Sequence, residues 1–270
     1  MPATRFYPLR LARIEHNAGA RVLTFDVPAL LAPRFAWRAG QYVTVRAKIG
    51  TEFVDRAYAI CTAPHEGLLQ IAVKQVADGT MSTWMHETLV PGRWLTLAPP
   101  AGSFTIDTDP NHARHYAGFC TGSGVTTLYA QLKHILQTEP ESRFTLVVAD
   151  ALEDSVIFLA ELRQLQRRFP QRFSCLLVLG EAAPGVAACT GLLDATTIGQ
   201  LFARELHGAR IDAALVVGSP AMMDTTAALL AAHGVPAHAI RTARAAPARP
   251  AAAQTVVTTH ERGSVSPWAT

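Results

Sequence analysis

Charge is scarce in this chain and has no dominant sign. Charged residues make up 17% of its 270 positions, and 24 Lys and Arg against 21 Asp and Glu leave a formal net charge of only +3. No basic face for a phosphate backbone follows from that balance, so nucleic acid is not expected as a partner. Long apolar runs are missing as well. A membrane-crossing helix needs about 18 consecutive apolar residues, and runs such as Ala213–Val217 stop early, here at Gly218-Ser219-Pro220; no membrane is expected. The start, Met1-Pro2-Ala3-Thr4-Arg5, leads straight into a strand-like pattern without the apolar stretch of about 7–15 residues that marks a secretory signal. A cytoplasmic location is the expectation.

Cysteine is rare. Cys61, Cys120, Cys175 and Cys189 are too few and too scattered for a disulfide framework or a zinc knuckle. The C-x4-C-x2-C run that holds the cluster of plant-type ferredoxins does not occur, so no such cluster is expected. The 10 histidines fall in no H-x-x-x-H or H-E-x-x-H pattern, and no metal site is expected. There is no Gly-x-Ser-x-Gly nucleophile elbow either.

Against these absences stands 49% hydrophobic content, enough to build cores for two ordinary domains. From Leu9 to about Phe104, short β-branched and aromatic runs alternate with Gly, Pro and Asn. They predict antiparallel strands at Leu9–His16, Arg21–Val27, Tyr42–Ala47, Phe53–Ala59, Leu68–Lys74 and Trp94–Ala98, with one helix at about Met81–Leu89 closed by Pro91-Gly92. Six short strands of this kind suggest a small antiparallel β-barrel, residues 1–108.

After Pro110 the rhythm becomes strand, Gly-rich turn, long helix, strand, the pattern of parallel β-α-β units. Strands are predicted at Arg114–Phe119, Phe144–Ala149, Phe173–Leu179 and Ala213–Val217, and helices at Val125–Leu136, Ser155–Phe169 and about Ala221–Ala232. The fold class expected is therefore a barrel plus an α/β domain with a parallel sheet, the second spanning residues 109–242. Residues 243–270, rich in Ala and Pro at their start, read as a flexible tail.

A cleft between two such domains favours a cofactor site. Arg56-Ala57-Tyr58-Ala59 ends a predicted barrel strand, and period-two alternation puts the Arg56 cation and the Tyr58 ring on one face. A guanidinium there can grip a diphosphate while the ring covers a flat heterocycle. Gly79-Thr80-Met81-Ser82 opens the barrel's helix, and helix N-termini bind anions. In the second half Cys120-Thr121-Gly122-Ser123-Gly124-Val125-Thr126-Thr127 joins strand to helix, where glycines let a diphosphate approach the backbone.

Taken in order with Ala39-Gly40-Gln41-Tyr42, Ala72-Val73-Lys74 and Pro100-Ala101-Gly102-Ser103-Phe104, these motifs resemble the ferredoxin-NADP reductase superfamily. Within it the chain is most like the reductase subunits of phenylacetyl-CoA epoxidases, over most of residues 5–240, including Leu136-Gln137-Thr138-Glu139-Pro140-Glu141-Ser142 and Phe169-Pro170-Gln171-Arg172. The resemblance implies an FAD-dependent oxidoreductase. Arg56 would bind the FAD diphosphate and Tyr58 would pack on the isoalloxazine; Tyr58 and Ala59 would border the reacting edge, with Ile60, Ala72, Lys74, Gly79, Thr80, Met81 and Ser82 completing the FAD contacts. Thr121, Gly122, Ser123, Gly124, Thr126, Asp150 and Gly218 would contact NADH or NADPH.

Several positions depart from the family pattern. Ala59 stands where the family has a Ser or Thr hydroxyl for the flavin N5 edge, and Thr127 where it has Pro. Val148-Ala149-Asp150-Ala151 replaces Tyr-Gly-Asn-Arg, losing the cation for a 2′-phosphate, while Asp150 would favour a free 2′-hydroxyl and hence NADH. Gly191-Leu192-Leu193-Asp194 replaces Gly-Arg-Ile-Asp, and Val217-Gly218-Ser219 replaces Cys-Gly-Pro. Three functions remain open on these residues: a reductase passing electrons from NAD(P)H through flavin to a separate ferredoxin or oxygenase, a flavin enzyme with a degenerate nicotinamide site acting on another substrate, and a non-catalytic scaffold.

Overall fold

The computed structural model describes residues 4–182, 186–206 and 208–244. Its first half is an antiparallel sheet of six strands: β1 (Tyr7–Asn17), β2 (Ala20–Asp26), β3 (Tyr42–Ile49), β4 (Glu52–Ala59), β5 (Leu69–Lys74) and β6 (Trp94–Leu97). They lie in the order β4-β3-β6-β1-β2-β5, and a bridge between Ile60 and Ile71 draws the two edges together into a barrel. Alternation does the rest. Leu9, Leu11, Leu23, Val43, Val45 and Ile71 point inward and are buried to 1% exposure or less. Helix α1 (Thr80–Thr88) plugs one end with Met81 and Met85, and the Arg21 guanidinium donates to the carbonyls of Met85 and Leu89 at 3.1 and 3.0 Å, placing a cation at the helix C-terminus.

The second half is a parallel sheet of β7 (His115–Thr121), β8 (Arg143–Asp150), β9 (Phe173–Leu179), β10 (Cys189–Thr190), β11 (Ala213–Gly218) and β12 (Ile240–Arg244), ordered β10-β9-β8-β7-β11-β12. Helices α2 (Val125–Thr138) and α3 (Leu159–Arg168) cover one face, packing on Tyr116, Cys120 and Leu146; α4 (Ala195–Arg204) and α5 (Pro220–Ala232) cover the other, packing on Ala117, Phe119 and Val216. Both faces are buried, which is why these strands read as nearly continuous apolar runs.

Every strand and helix expected from the sequence is present, with ends shifted by a few residues. The stretch expected as one helix from Ser155 is instead a 3-10 turn at Glu153–Ser155 and a separate helix α3. Between them Val156–Phe158 are buried, and Phe158 takes the left-handed conformation (φ +63°) while its N–H donates to Asn17 Oδ1 of the barrel at 2.7 Å. A tertiary contact overrides local helix preference there. Strand β10, helix α4 and strand β12 were not expected. Helix α4 is capped by Asp194, whose side chain accepts from Thr197 N–H at 2.9 Å. Strand β12 takes in Ala243 and Arg244, which composition assigns to the tail; residues 245–270 of that tail lie outside the described residues.

The two halves meet along α2. Ala20, Val22, Cys61 and Ala72 of the barrel join the apolar cluster of α2, and polar clasps flank it: Asn17 to Glu161 at 2.8 Å, Gln131 to the Phe104 carbonyl at 2.7 Å, and Lys74 to Asp150 at 3.1 Å.

Candidate cofactor site

The sheet order places β7 between β8 and β11, so the chain leaves β7 in one direction and returns on the other side. At such a switch point the carboxyl ends of the strands open a crevice. Here the crevice faces the barrel, and together they form a cleft of about 900 Å³, within the range of cofactor sites.

Strand β4 delivers Arg56, Ala57, Tyr58 and Ala59 to one wall. Arg56 is half-buried, with Nη1 donating to the Asp55 carbonyl at 2.8 Å. Burial pushes the Tyr58 phenol up to about 12, with the Arg56 cation pulling the other way, so the ring stays neutral beside its cation. The floor of this wall is Ala72 and Lys74 of β5 and the loop Gln75–Gly79 leading into α1. Ser82 lines the cleft, but its hydroxyl is engaged locally: it donates to the Gly79 carbonyl at 3.1 Å and accepts from Val76 N–H at 3.2 Å. It therefore shapes the loop that leads into α1. Thr80 is exposed at the helix start, and Met81 reaches from the cleft into the barrel core.

The opposite wall is the turn into α2, with Ser123, Gly124, Thr126 and Thr127, and the end of β11 at Val217. At Gly124 a Cβ would lie 2.9 Å from the Val217 carbonyl oxygen, so helix and strand end approach closer than any side chain allows. Thr126 Oγ1 donates to the Ser123 carbonyl at 2.9 Å and fixes the turn. Helix α1 carries no side-chain N-cap, which leaves its first N–H groups to a guest; α2 carries none either, but its first N–H, on Val125, is taken by the carbonyls of Gly122 and Ser123, and α4 and α5 are capped by Asp194 and Ser219. Helix α3 also lacks one, and the N–H of its N-cap residue Phe158 is taken by Asn17.

Not every residue named from the sequence meets the cleft. The Ile60 side chain is in the barrel core at 0% exposure. Thr121, Gly122 and Gly218 form the turn and strand end behind the lining. Asp150 ends β8 with its side chain 8% exposed; it accepts from Lys74 Nζ at 3.1 Å, Ser155 Oγ at 2.7 Å and Ala151 N–H at 2.8 Å. Its carboxylate is neutralised by the barrel rather than held free at the opening. Sequence reading missed Thr242, Ala243 and Arg244, which line the cleft from the end of β12. The signal was the short run Ile240-Arg241-Thr242 one loop after α5, where a further parallel strand is due.

A cation beside an aromatic ring, two helix starts without a side-chain cap and a turn too tight for a Cβ fit a flavin dinucleotide on the barrel wall and a second dinucleotide on the other. Comparison with protein families agrees. Residues 11–106 match the model described as the oxidoreductase FAD-binding domain, and residues 119–228 match the oxidoreductase NAD-binding domain. The chain carries the FAD-binding and NAD-binding domains of an oxidoreductase, and its cofactors are FAD and a nicotinamide dinucleotide.

Among its relatives, one of the subunits of 1,2-phenylacetyl-CoA epoxidase from Escherichia coli (strain K12) is 31% identical over 86% of this chain and 66% of its own length. The ferredoxin reductase component of 3-ketosteroid-9-alpha-monooxygenase from Rhodococcus rhodochrous is 36% identical over 60% of this chain and 46% of its own. The chain thus spans about half to two thirds of these relatives. Similar solved folds include an Amycolatopsis cytochrome P450 reductase (TM-score 0.75, 17% identity, 92% of this chain and 72% of that one) and a ferredoxin NADP+ reductase from Neisseria gonorrhoeae (TM-score 0.72, 18% identity, 90% and 99%). Among the described residues no helix is long and apolar enough to cross a membrane.

Proposed function

We propose that the chain takes a hydride from NADH into FAD and passes the two electrons to a separate carrier or oxygenase. The observation that carries this reading is the single cleft to which both halves contribute: Arg56 and Tyr58 from the barrel, Ser123, Gly124 and Val217 from the parallel sheet. A hydride needs its donor and acceptor rings in contact, and only a shared cleft allows that. The relatives named as reductase components of monooxygenases support the direction of electron flow.

Bound FAD supplies a centre that accepts a hydride and releases electrons singly. The residues of this chain do the rest. The Arg56 guanidinium and the first N–H groups of α1 hold the flavin diphosphate, and the neutral Tyr58 ring lies along the isoalloxazine. The turn at Ser123–Gly124 and the first residues of α2 take the second diphosphate through backbone N–H groups. Thr242–Arg244 wall the cleft on the nicotinamide side and bring Arg244, a cation the turn itself lacks. Ala59 offers no hydroxyl at the flavin edge. NADH is preferred to NADPH because the end of β8 presents Asp150 and Ala151, and the nearby cation, Lys74, is already paired with Asp150. Residues 1–108 serve as the flavin domain, and residues from 109 to the end of β12 as the nicotinamide domain. The four cysteines, all free thiols in the structure, suit a reducing cytoplasm.

An anaerobic visible spectrum of the FAD-loaded protein tests the reading. NADH should bleach the flavin band, and NADPH should do so at least about tenfold more slowly, the equivalent of ~1.4 kcal/mol. A flavin that binds yet stays oxidised with both nucleotides would leave the nicotinamide half without its proposed role.

A further inference from the structure

A second cavity, of about 750 Å³, opens at the other end of the parallel sheet, where β7 and β11 begin. Tyr116, Ala213 and Leu215 form its floor, and the interdomain linker at Ile106–Asp107 forms one wall. Nothing in the cofactor chemistry uses this end of the molecule.

Its rim is basic. Arg114, Arg210 and Arg241 line it together with His112 and His238, against two carboxylates, Asp107 and Asp212. Both carboxylates are engaged: Asp107 by Arg38, and Asp212 by Arg210 Nε at 3.1 Å and the His115 N–H at 2.9 Å. Arg241 gives one Nη to the Thr105 carbonyl and Arg114 bonds the Tyr116 hydroxyl, and both side chains line the cavity.

The wall behind the rim is rigid. Glu139, 0% exposed, accepts from Ser142 Oγ at 2.6 Å, Tyr116 OH at 2.9 Å, His112 Nδ1 at 3.0 Å and the Asp109 N–H at 3.1 Å. Burial alone would raise its carboxyl, and these hydrogen bonds hold it below the usual range instead. It therefore stays charged and fixes His112, whose Nε2 has no partner among the described residues, at the edge of the opening. The negative charge of this network is turned inward and saturated, and the positive charge faces out.

We propose that this cavity binds a small, multiply charged oxyanion, a phosphorylated or polycarboxylate metabolite, held by Arg114, Arg241 and His112. Paired guanidiniums match such groups through parallel N–H···O bonds. The size of the cavity admits a compact metabolite rather than a bare ion.

The test is calorimetric titration of the full chain, saturated with FAD and NAD+ so that the phosphate sites of the cofactor cleft are filled, with inorganic pyrophosphate and separately with citrate. One saturable site for either probe is expected. Pyrophosphate binding points to a phosphorylated occupant, citrate binding to a polycarboxylate. Arg114→Gln and Arg241→Gln should each weaken it by about tenfold or more, the loss of one charge-assisted bond. Arg241→Lys keeps a donor for Thr105, so it should melt like the parent and lose less affinity than the Gln variant. No saturable binding of either probe, or unchanged affinity in both Gln variants, overturns the proposal. Should FAD or NAD+ fail to bind, the same titration of the chain alone decides it, separately from the reductase reading.

Discussion

In the proposed reading, the barrel half and the parallel-sheet half hold their cofactors by different means. On the barrel, two side chains join the N–H groups of α1 in the holding: Arg56 and Tyr58 stand two residues apart on β4, whose register with β3 is continuous from Glu52 to Ala59. On the parallel sheet, backbone does it, through the turn at Ser123–Gly124 and the first residues of α2. A site made of side chains restricts residue identity, whereas a site made of N–H groups restricts only conformation. That is why Arg56-Ala57-Tyr58 keeps its pattern while Thr127, Ser219 and Ala151 depart from theirs without disturbing the fold.

This comparison can be broken at several points. Arg56→Ala should have the largest effect, weakening FAD about 100-fold by loss of a charge-assisted contact, with the fold unchanged by circular dichroism; equilibrium dialysis of flavin checks it. Next comes the contact that joins the halves. Lys74→Met leaves Asp150 without its cation at 8% exposure, and stability should fall by ~2 kcal/mol, less than for a fully buried pair because Lys74 is 28% exposed; denaturant midpoints measure it.

Gly124→Ala tests the backbone side. Its Cβ would push on the Val217 carbonyl, so NADH-driven flavin reduction should slow by about tenfold while FAD content stays full; equal loss of FAD would show that the two walls are not separable. Ala59→Ser restores a hydroxyl at the flavin edge and should speed reduction by NADH by about fivefold, one hydrogen bond's worth, in stopped-flow traces. Thr127→Ala should change neither stability nor rate beyond about 0.5 kcal/mol, since the N–H groups of α2 remain; a large effect would mean that the hydroxyl itself takes part.

Much of the fold was legible because it rests on local signals. Strands of period two, glycine turns and one well-marked β-α turn mark six barrel strands and the β7–α2 unit nearly to the residue. Strand β10, at two residues, is too short to carry a pattern. Helix α4 has its cap, but Gly199 in its middle lowers its helical signal. Strand β12 sits beside an Ala- and Pro-rich stretch that masks it. Of the candidate site, Arg56, Tyr58, Ala59, Gly79, Ser123 and Gly124 do line one cleft. Asp150 reads from the sequence as a free acceptor because its partner, Lys74, is 76 residues away in sequence and on the other domain.

By itself the sequence determined the two-domain architecture, because periodicity and turn motifs act over a few residues, and its resemblance to known reductases implied the two cofactors. Tertiary structure alone decided which charges remain available. It paired Lys74 with Asp150, turned the Ser82 hydroxyl inward and brought Thr242–Arg244 to the cofactor cleft. It also gathered Arg114, Arg210 and Arg241 from three separate segments around the second cavity. Electrostatic availability depends on what lies within a few ångströms in space, and distance along the chain does not report it.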